Sequence, residues 1–317
     1  MPTVSIVIPT FNEEGNLPLL YQRLHASTAQ IERVTMEFLF VDDASRDRTP
    51  DILRAFTLAD PRVRGVRFAR NFGSHTACLA GLAHACGDAM IIMSADLQDP
   101  PELIPSLIER WQEGYEIVWG VRESRQDPLR NKLQAKLFYW LFRKIAIRDF
   151  PASDVVLISK RVAQLLVDAQ EKNTSLFGLI GWIGLPYATI PYARAQRHSG
   201  RSKWTVSKTI KHAIDAFVSF SFFPIRLMAY AGGIFLASAV VLLTTLFFLA
   251  VTGRLVVEGW WWVLSGLFVM GGFLSLMMGI LGEYVWRALE QTRQRPMFIL
   301  DEGTLSNAPA DFPPVVE

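Results

Sequence analysis

Residues 89–102 read Ala-Met-Ile-Ile-Met-Ser-Ala-Asp-Leu-Gln-Asp-Pro-Pro-Glu, a short apolar run followed at once by acidic and amide side chains. A run of this kind predicts a buried strand. The strand would deliver Asp96 and Gln98 to its carboxyl end, where oxygen ligands suit a hard divalent cation that also holds phosphates. The alternative is an ordinary strand end in which Asp99 caps a helix that begins at the two prolines. This stretch alone leaves both interpretations open.

Three earlier stretches repeat the pattern of an apolar run that ends in polar side chains. They are residues 4–14 (Val-Ser-Ile-Val-Ile-Pro-Thr-Phe-Asn-Glu-Glu), 37–49 (Glu-Phe-Leu-Phe-Val-Asp-Asp-Ala-Ser-Arg-Asp-Arg-Thr) and 66–76 (Val-Arg-Phe-Ala-Arg-Asn-Phe-Gly-Ser-His-Thr). A helical pattern follows each of the four strands. Strands that alternate with helices predict a parallel sheet whose polar ends share one edge. We therefore expect an α/β domain with its functional residues along that edge.

Taken together, the four strand ends resemble the motifs of family 2 glycosyltransferases, which have the GT-A fold, a Rossmann-like and mostly parallel sheet. The subgroup most similar in sequence is the polyprenyl-phosphate glycosyltransferases, which include dolichyl-phosphate mannose synthase and bacterial undecaprenyl-phosphate glucosyltransferases. The resemblance runs from about Val4 to the second hydrophobic segment, which is nearly the whole chain. It implies an inverting transferase that moves a hexose from a nucleotide sugar to polyprenyl phosphate. UDP-glucose or a similar UDP-hexose is the first expectation for the donor, and GDP-mannose is the second.

The resemblance also implies a nucleotide-sugar site at the predicted sheet edge. In such enzymes the Asp that ends the second strand contacts the base and the Glu after the first strand contacts the ribose, roles that fall here to Asp42 and Glu13. Carboxylates suit both roles because the base N–H and the ribose hydroxyls are donors. The other expected members of the site are Pro9, Asn12, Asp43, Arg70, Asn71, Gly73, Ala95 and Asp96. For Asp43 an alternative stays open, in which its side chain only organises the turn.

The expected metal site departs from the family pattern. Many members read Asp-x-Asp-x-Gln, whereas this chain has Ser94, Asp96 and Gln98, so the first carboxylate is missing. Mg²⁺ often needs only one or two protein carboxylates plus substrate phosphates. The resemblance therefore still implies Mg²⁺ or Mn²⁺, with Asp96 and Gln98 as its ligands and the leaving diphosphate as the group it would neutralise.

The predicted catalytic residues are Asp96 and Asp154. Asp154 lies in Ala-Ser-Asp-Val-Val-Leu at residues 152–157, and an Asp in this region is the proposed base of the resembling enzymes. A phosphate monoester is already anionic near neutral pH, so a strong base is not chemically necessary. Positioning of the acceptor or the sugar therefore stands as the alternative role for Asp154.

A basic segment at residues 193–204, Ala-Arg-Ala-Gln-Arg-His-Ser-Gly-Arg-Ser-Lys-Trp, resembles a segment that the polyprenyl-phosphate subgroup carries before its membrane region. It implies a site for the lipid phosphate, because such a phosphate needs basic side chains near the membrane plane. The expected members are Arg122, Arg130, Arg197, Arg201, Ser202 and Lys203. Generic attraction of these cations to anionic lipids is the alternative.

Two uncharged runs, at about 227–251 and 259–282, are each long enough to cross a bilayer, for which about 20 residues suffice. Cations flank the pair on both sides, so the positive-inside rule predicts both flanks in the cytoplasm. No signal peptide is predicted from the first residues of the sequence. We expect a multi-pass protein of the bacterial inner membrane, with its catalytic domain and both termini in the cytoplasm.

Four regions are predicted along the chain. They are a GT-A domain at 1–203, an in-plane amphipathic helix at 204–224, two transmembrane helices within 225–286, and a tail at 287–317 that is disordered at its end. The alternative for 204–224 is a helix packed on the soluble domain.

Composition narrows the partners. The formal net charge is only +2, which does not indicate a nucleic-acid surface, and two cysteines in a cytosolic domain do not make a disulfide framework. The expected partners are the nucleotide sugar, polyprenyl phosphate and the lipid bilayer, with a homo-oligomer possible. One rival function is a processive polysaccharide synthase, although the Gln-x-x-Arg-Trp motif of such enzymes is not found. Another is a non-catalytic membrane scaffold derived from the fold, which Ser94 alone supports.

Overall fold

The chain folds into two compact units in a computed structural model that describes residues 1–122, 153–169, 171, 175–195, 223–252, 260–293 and 295–301. One unit comprises Met1–Ala216 together with Arg295–Glu317, and the other comprises Phe217–Gln294. The predicted boundaries at 203, 224 and 286 remain predictions.

The first unit is an α/β domain built on a seven-stranded sheet. Its strands are β1 (Thr3–Thr10), β2 (Thr35–Asp42), β3 (Val63–Arg67), β4 (Ala89–Ile92), β5 (Ile117–Arg122), β6 (Val155–Ser159) and β7 (Tyr187–Tyr192). Its described helices are α1 (Leu17–Thr28), α2 (Thr49–Ala59), α3 (Ser74–His84), α4 (Ile104–Gln112), α5 (Lys160–Ala169) and α6 (Leu176–Ile183), with a 3-10 turn at Pro101–Leu103. This confirms the predicted α/β class and the four strand–helix units that carry the motifs.

The strand order is β3-β2-β1-β4-β6-β5-β7, and the described pairs are parallel except those that β6 makes with β4 and β5. The central strands are mostly apolar because both faces are covered, as buried parallel sheets require, and the buried Ser5 and Glu37 are hydrogen-bonded to each other. Ile6, Phe38, Phe40 and Ile91 are completely buried, and Trp119 is among the largest buried side chains. The pairing directions confirm the prediction of a mostly parallel sheet.

The sheet brings the functional loops to one edge. β1 pairs with β2 on one side and with β4 on the other, so the strand order reverses direction at β1. In open α/β sheets a ligand crevice forms at the carboxyl ends of the strands where the order reverses. β6 runs the other way, so its first residues lie at this edge. Asp154, immediately before β6, therefore reaches the same edge as the carboxyl ends of β4, β5 and β7.

The edge strand β3 is covered by residues 298–301, which we call the C-terminal strap. Ala69 N donates to Ile299 O at 3.0 Å and Asp301 N donates to Arg67 O at 2.9 Å. Phe68 and Leu300 form an antiparallel bridge. No secondary structure was predicted for residues 298–301, because a single pairing of a few residues has no periodicity. The end of the predicted tail lies outside the described residues.

The second unit contains two long helices, α7 (Phe223–Val251) and α8 (Trp260–Thr292). Judged by length and composition, one segment of the described residues, Val269–Trp286 in α8, is long and apolar enough to cross a membrane. A shorter apolar stretch, Val240–Leu249, lies in α7. The second predicted span remains a prediction, and residues 204–222 of the predicted amphipathic helix lie outside the described residues.

Candidate active site

The loops after β1 and β2 are joined by hydrogen bonds at the crevice. Asn12 N donates to Ser45 Oγ at 2.8 Å, and Arg46 N donates back to Asn12 Oδ1 at 2.8 Å. Glu13 N donates to Thr49 Oγ1 at 2.8 Å, at the first residue of α2. Asn12 adopts a positive φ of 51°, a conformation in which Asn is favoured over most residues. The backbone beside Glu13 is thereby fixed next to the end of β2.

Asp42, the predicted base-binding residue, ends β2 and is completely buried. Its Oδ1 accepts from Ser45 N at 3.1 Å, whereas Oδ2 has no hydrogen-bond partner among the described residues. Arg67 Nε lies 3.4 Å from that Oδ2 atom. Burial raises the pKa of Asp42. A buried acceptor with an unfilled bond at a ligand crevice is suited to a donor on a ligand. Pro9 pairs with Val41 one register step away.

Asp43 holds the loop that follows β3. Its carboxylate accepts from Phe72 N at 2.6 Å and Gly73 N at 2.9 Å, and Asn71 Nδ2 donates to its carbonyl at 3.3 Å. Gly73 has a φ of 97°, which a side chain would strain, and the Arg70 guanidinium lies 4.3 Å from the Phe72 ring centroid. Burial raises the pKa of Asp43 to about 6, against the opposing effect of the two backbone N–H groups. These contacts favour the turn-organising role for Asp43.

At the end of β4 one hydroxyl stands between two carboxylates. Ser94 Oγ lies 2.9 Å from Asp96 Oδ1 and 2.8 Å from Asp99 Oδ2. Asp99 is completely buried and also accepts from the Tyr192 hydroxyl at 2.5 Å. Burial, together with the charge of Asp99, raises the pKa of Tyr192. The capping role considered for Asp99 was wrong, because the turn at Pro101–Leu103 has no side-chain cap and Asp99 instead bonds across the sheet.

Asp96 and Gln98 offer two hard oxygen donors for a divalent cation. Asp96 Oδ1 accepts a hydrogen bond from Gln98 N at 3.1 Å, and Gln98 Oε1 accepts one from Arg194 Nη2 at 2.7 Å. Throughout the described ranges, no group of three or more His, Cys, Asp or Glu side chains could hold a metal. One carboxylate and one amide oxygen fit Mg²⁺ or Mn²⁺ when ligand phosphates supply the remaining oxygens. The donor set is therefore compatible with the predicted cation.

Three strands deliver a compact ionic cluster beside this site. The Asp154 carboxylate pairs with Arg122, from the end of β5, and lies 3.3 Å from Arg194 Nη2, just after β7. The Nε atoms of both arginines are buried and have no hydrogen-bond partner in the described part of the chain. Among the described residues two guanidinium groups face the Asp154 carboxylate, and guanidinium N–H groups also suit phosphate oxygens. Arg194 belongs to the basic segment at residues 193–204 that was predicted to bind the lipid phosphate, but its contact with Asp154 depends on the pairing of β7 with β5 and was not predicted.

The remaining predicted site residues divide into two groups. Ala95 is 3% exposed and belongs to the hydrophobic core, so only its backbone is available to a ligand. The predicted lipid-phosphate residues other than Arg122 lie outside the described residues. They are Arg130, Arg197, Arg201, Ser202 and Lys203. Of the two cysteines, Cys78 is buried and Cys86 is exposed, and both are free thiols.

Comparison with known proteins gives matches along nearly the whole chain. A sequence model described as "Glycosyl transferase family 2" matches residues 5–160. The prophage bactoprenol glucosyl transferase homolog of Escherichia coli (strain K12) is 35% identical over 300 residues, which cover 94% of this chain and 98% of the relative. The bactoprenol glucosyl transferase of Shigella phage SfII is 35% identical over 313 residues, with 96% and 99% covered.

Among solved structures, the mannosyltransferase PcManGT from Pyrobaculum calidifontis, in complex with GDP-Man and Mn²⁺, is 18% identical with a TM-score of 0.47. The similarity covers 63% of this chain and 58% of the mannosyltransferase chain.

Proposed function

The chain belongs to glycosyl transferase family 2, and we propose that it moves a hexosyl group from a nucleotide sugar to a polyprenyl phosphate with inversion at the anomeric carbon. UDP-glucose or a similar UDP-hexose is the proposed donor. The names of the two bactoprenol glucosyl transferases support both the glucosyl group and the polyprenyl acceptor. The product would be a polyprenyl-phosphate sugar for cell-envelope glycans or lipid modification.

The observation that carries this proposal is the chain of contacts from Gln98 through Arg194 and Asp154 to Arg122. It links the end of β4, where the donor diphosphate would lie, to a cationic cluster that suits a second phosphate. A transferase with a phosphate acceptor needs both anion sites within reach of one sugar. Two guanidinium groups beside the sugar would serve a phosphate acceptor better than a neutral hydroxyl.

On the donor side, Asp42 would accept a hydrogen bond from the base through its Oδ2 atom, which is buried and lacks a hydrogen-bond partner among the described residues. Glu13 would accept from the ribose hydroxyls. Asp43 would act indirectly, because it fixes the backbone at Phe72 and Gly73 beside the pocket. These residues bind the donor equally in the ground and transition states, so they would govern KM more than kcat.

In the reaction, an oxygen of the acceptor phosphate attacks the anomeric carbon and forms the new C–O bond. The bond from that carbon to the nucleoside diphosphate oxygen breaks, and its electron pair leaves with the diphosphate. Arg122 and Arg194 would orient the acceptor phosphate, and Asp154 would hold the two guanidinium groups in place. A divalent cation held by Asp96 and Gln98 would supply positive charge to the leaving diphosphate.

The same proposal includes a membrane, because the acceptor tail is a lipid. The proposed arrangement has α7 and α8 as two spans, an in-plane helix at 204–224, and Arg197, Arg201, Ser202 and Lys203 at the acceptor phosphate near the membrane surface. Its support is the apolar segment Val269–Trp286 and the polyprenyl acceptor named for the relatives. The proposed location is the bacterial inner membrane with the catalytic domain in the cytoplasm.

The test is a transfer assay on the full-length protein in detergent, with polyprenyl phosphate and a panel of radiolabelled nucleotide sugars. We expect labelled lipid with one UDP-hexose in the presence of Mg²⁺ or Mn²⁺, and release of nucleoside diphosphate only when polyprenyl phosphate is present. Asp96→Asn should remove nearly all transfer. Asp51→Asn, at an exposed residue of α2 whose carboxylate pairs with Arg54, is the matched control and should transfer as the wild type does.

Two outcomes would contradict the proposal. Labelled product in a long water-soluble polymer would favour the processive synthase. No transfer from any donor, combined with no binding of UDP or GDP, would favour the non-catalytic scaffold.

A further inference from the structure

The C-terminal strap lies against the nucleotide side of the crevice. β3 is the outermost of the described strands on that side, and an edge strand exposes unpaired backbone groups unless another segment covers them. The strap covers them by adding a short antiparallel pairing at Phe68 and Leu300. In the sequence, residues 293–297 link the end of α8 to the strap. The chain therefore returns to the α/β domain directly after α8 and pairs with the edge strand β3.

Packing joins the strap to the loop that Asp43 holds. The ring of Phe298 stacks on Phe68 with centroids 5.3 Å apart, and Phe68 meets the edge of Phe72 at 5.5 Å. Phe72 is one of the two residues whose backbone N–H donates to Asp43. Phe298 and Leu300 also pack on a buried cluster that includes Val41, the neighbour of Asp42. The strap thus supports the same pocket wall from behind.

Arg67 links the strap to Asp42 electrostatically. Arg67 Nε lies 3.4 Å from Asp42 Oδ2 and 3.7 Å from Asp301 Oδ2. Both separations exceed the usual 2.7–3.2 Å of an N–H···O hydrogen bond. The guanidinium therefore lies between the two carboxylates and makes a short hydrogen bond to neither of them. Asp42 Oδ2 is left without a hydrogen-bond partner among the described residues. Arg67 Nη2 makes a similarly long hydrogen bond of 3.4 Å to Ser45 O, so the arginine lies beside the pocket without a short contact to Asp42.

We propose that the strap is part of the donor-nucleotide site and that Asp301 is a positioning residue, which holds Arg67 back from Asp42 so that Asp42 Oδ2 can accept from the base. The inference rests on the proposed donor site. Without Asp301, Arg67 would pair fully with Asp42 and compete with the ligand for the same oxygen. The ligand class is a nucleotide whose base presents an N–H to a carboxylate, as uracil and guanine do.

The test measures binding of UDP and of GDP, each with Mg²⁺, to the full-length protein in detergent by calorimetry. Asp301→Asn should raise the Kd of the nucleotide that the wild type binds by about fivefold or more, the size of one weakened hydrogen bond. Asp301→Glu, which keeps the charge, should recover most of that affinity. Asp51→Asn makes the same chemical change at an exposed ion pair and should bind as the wild type does. The KM for polyprenyl phosphate should stay unchanged in all three variants.

An unchanged Kd in Asp301→Asn would overturn the inference. So would equal losses of affinity in Asp301→Asn and Asp301→Glu accompanied by equal falls in the unfolding midpoint, because the residue would then act only through folding. A wild type that binds neither UDP nor GDP would instead refute the proposed donor site, which separates the two failures.

Discussion

At the scale of single residues, the contacts of Asp154 favour positioning over proton transfer, because two arginines already occupy its carboxylate. We expect Asp154→Asn to raise the KM for polyprenyl phosphate by roughly tenfold, the effect of a lost charge-assisted contact. The acid side of the kcat profile against pH should keep its shape. The measurement is transfer rate against acceptor concentration between pH 5 and 8.

A general base would behave differently. Its removal costs roughly a hundredfold or more in kcat, and the acid limb that reports its titration disappears. Either change in Asp154→Asn, with Asp51→Asn unaffected, would reassign the residue as the base.

Ser94 gives the second prediction, since its hydroxyl lies within 2.9 Å of Asp96 and 2.8 Å of Asp99. Ser94→Asp would place a third carboxylate between the other two, and like charges at that distance destabilise each other. In EDTA the variant should unfold at a lower temperature than the wild type, and Mg²⁺ should raise its midpoint more than it raises that of the wild type. Thermal unfolding followed by tryptophan fluorescence measures both. An identical response to Mg²⁺ in the two proteins would contradict the idea that this pocket accommodates a cation.

Asp43 gives a pH-dependent prediction. Burial raises its pKa in the folded protein from 3.8 to about 6, so the folded state holds this proton more tightly than the unfolded state. The stability it contributes is therefore fully present below pH 3.8 and is lost as the pH rises through 6. Asp43→Asn lacks this titration. The free energy of unfolding of the wild type minus that of Asp43→Asn should fall by about 1 kcal/mol between pH 5 and pH 7.5.

Denaturant unfolding of both proteins in the same detergent at several pH values measures this difference. Carboxylates that do not interact with Asp43 titrate alike in the two proteins, so their contributions cancel. The neighbouring Asp42 is the exception, because its charge raises the pKa of Asp43. A difference that is flat or rises with pH would show that the carboxylate is not buried as described.

At the scale of secondary-structure elements, Gly81 lets α3 lie close to the sheet. A Cβ atom at this position would meet Val7 Cγ1 at 2.2 Å and Val41 Cγ2 at 3.3 Å. We expect Gly81→Ala to destabilise the protein by about 1–3 kcal/mol through overpacking, although the same change in an open helix is stabilising. Ala83→Val adds bulk on the exposed side of the same helix and should cost much less. Urea unfolding midpoints compare the two, and equal midpoints would contradict the close approach.

The elements also show how far the sequence was sufficient. The apolar runs of β1, β2 and β4 predicted the strands, and their polar ends predicted Asp42 and Asp96 at one edge. The cluster of Arg122, Asp154 and Arg194 could not be derived in the same way. It depends on the reversed direction of β6 and on the pairing of β7 with β5, which are long-range pairings without a local signal. The part played by Asp99 was missed for the same reason, because its partner Tyr192 is far along the chain.

At the scale of the whole molecule, two spans would place the link between α7 and α8 on the outer side of the inner membrane and the first unit in the cytoplasm. Gly253→Cys should therefore react with a membrane-impermeant maleimide in intact bacterial cells. Cys86 is exposed on the first unit and serves as the internal control, which should react only after the cells are permeabilised. Mass spectrometry of the labelled peptides distinguishes the two sites. Failure of Gly253→Cys to react in intact cells would contradict the two-span arrangement.

The C-terminal strap has a consequence for the timing of synthesis. A ribosome makes the chain from its N-terminus, so β3 and the loop that follows it emerge long before residues 298–301. Both helices of the second unit, α7 and α8, are translated in between. Domains generally begin to fold as they emerge, but the outer edge of β3 cannot gain its last partner until both helices have left the ribosome. The donor pocket is therefore completed after the helices are made, so a chain truncated before α8 would carry an unfinished pocket.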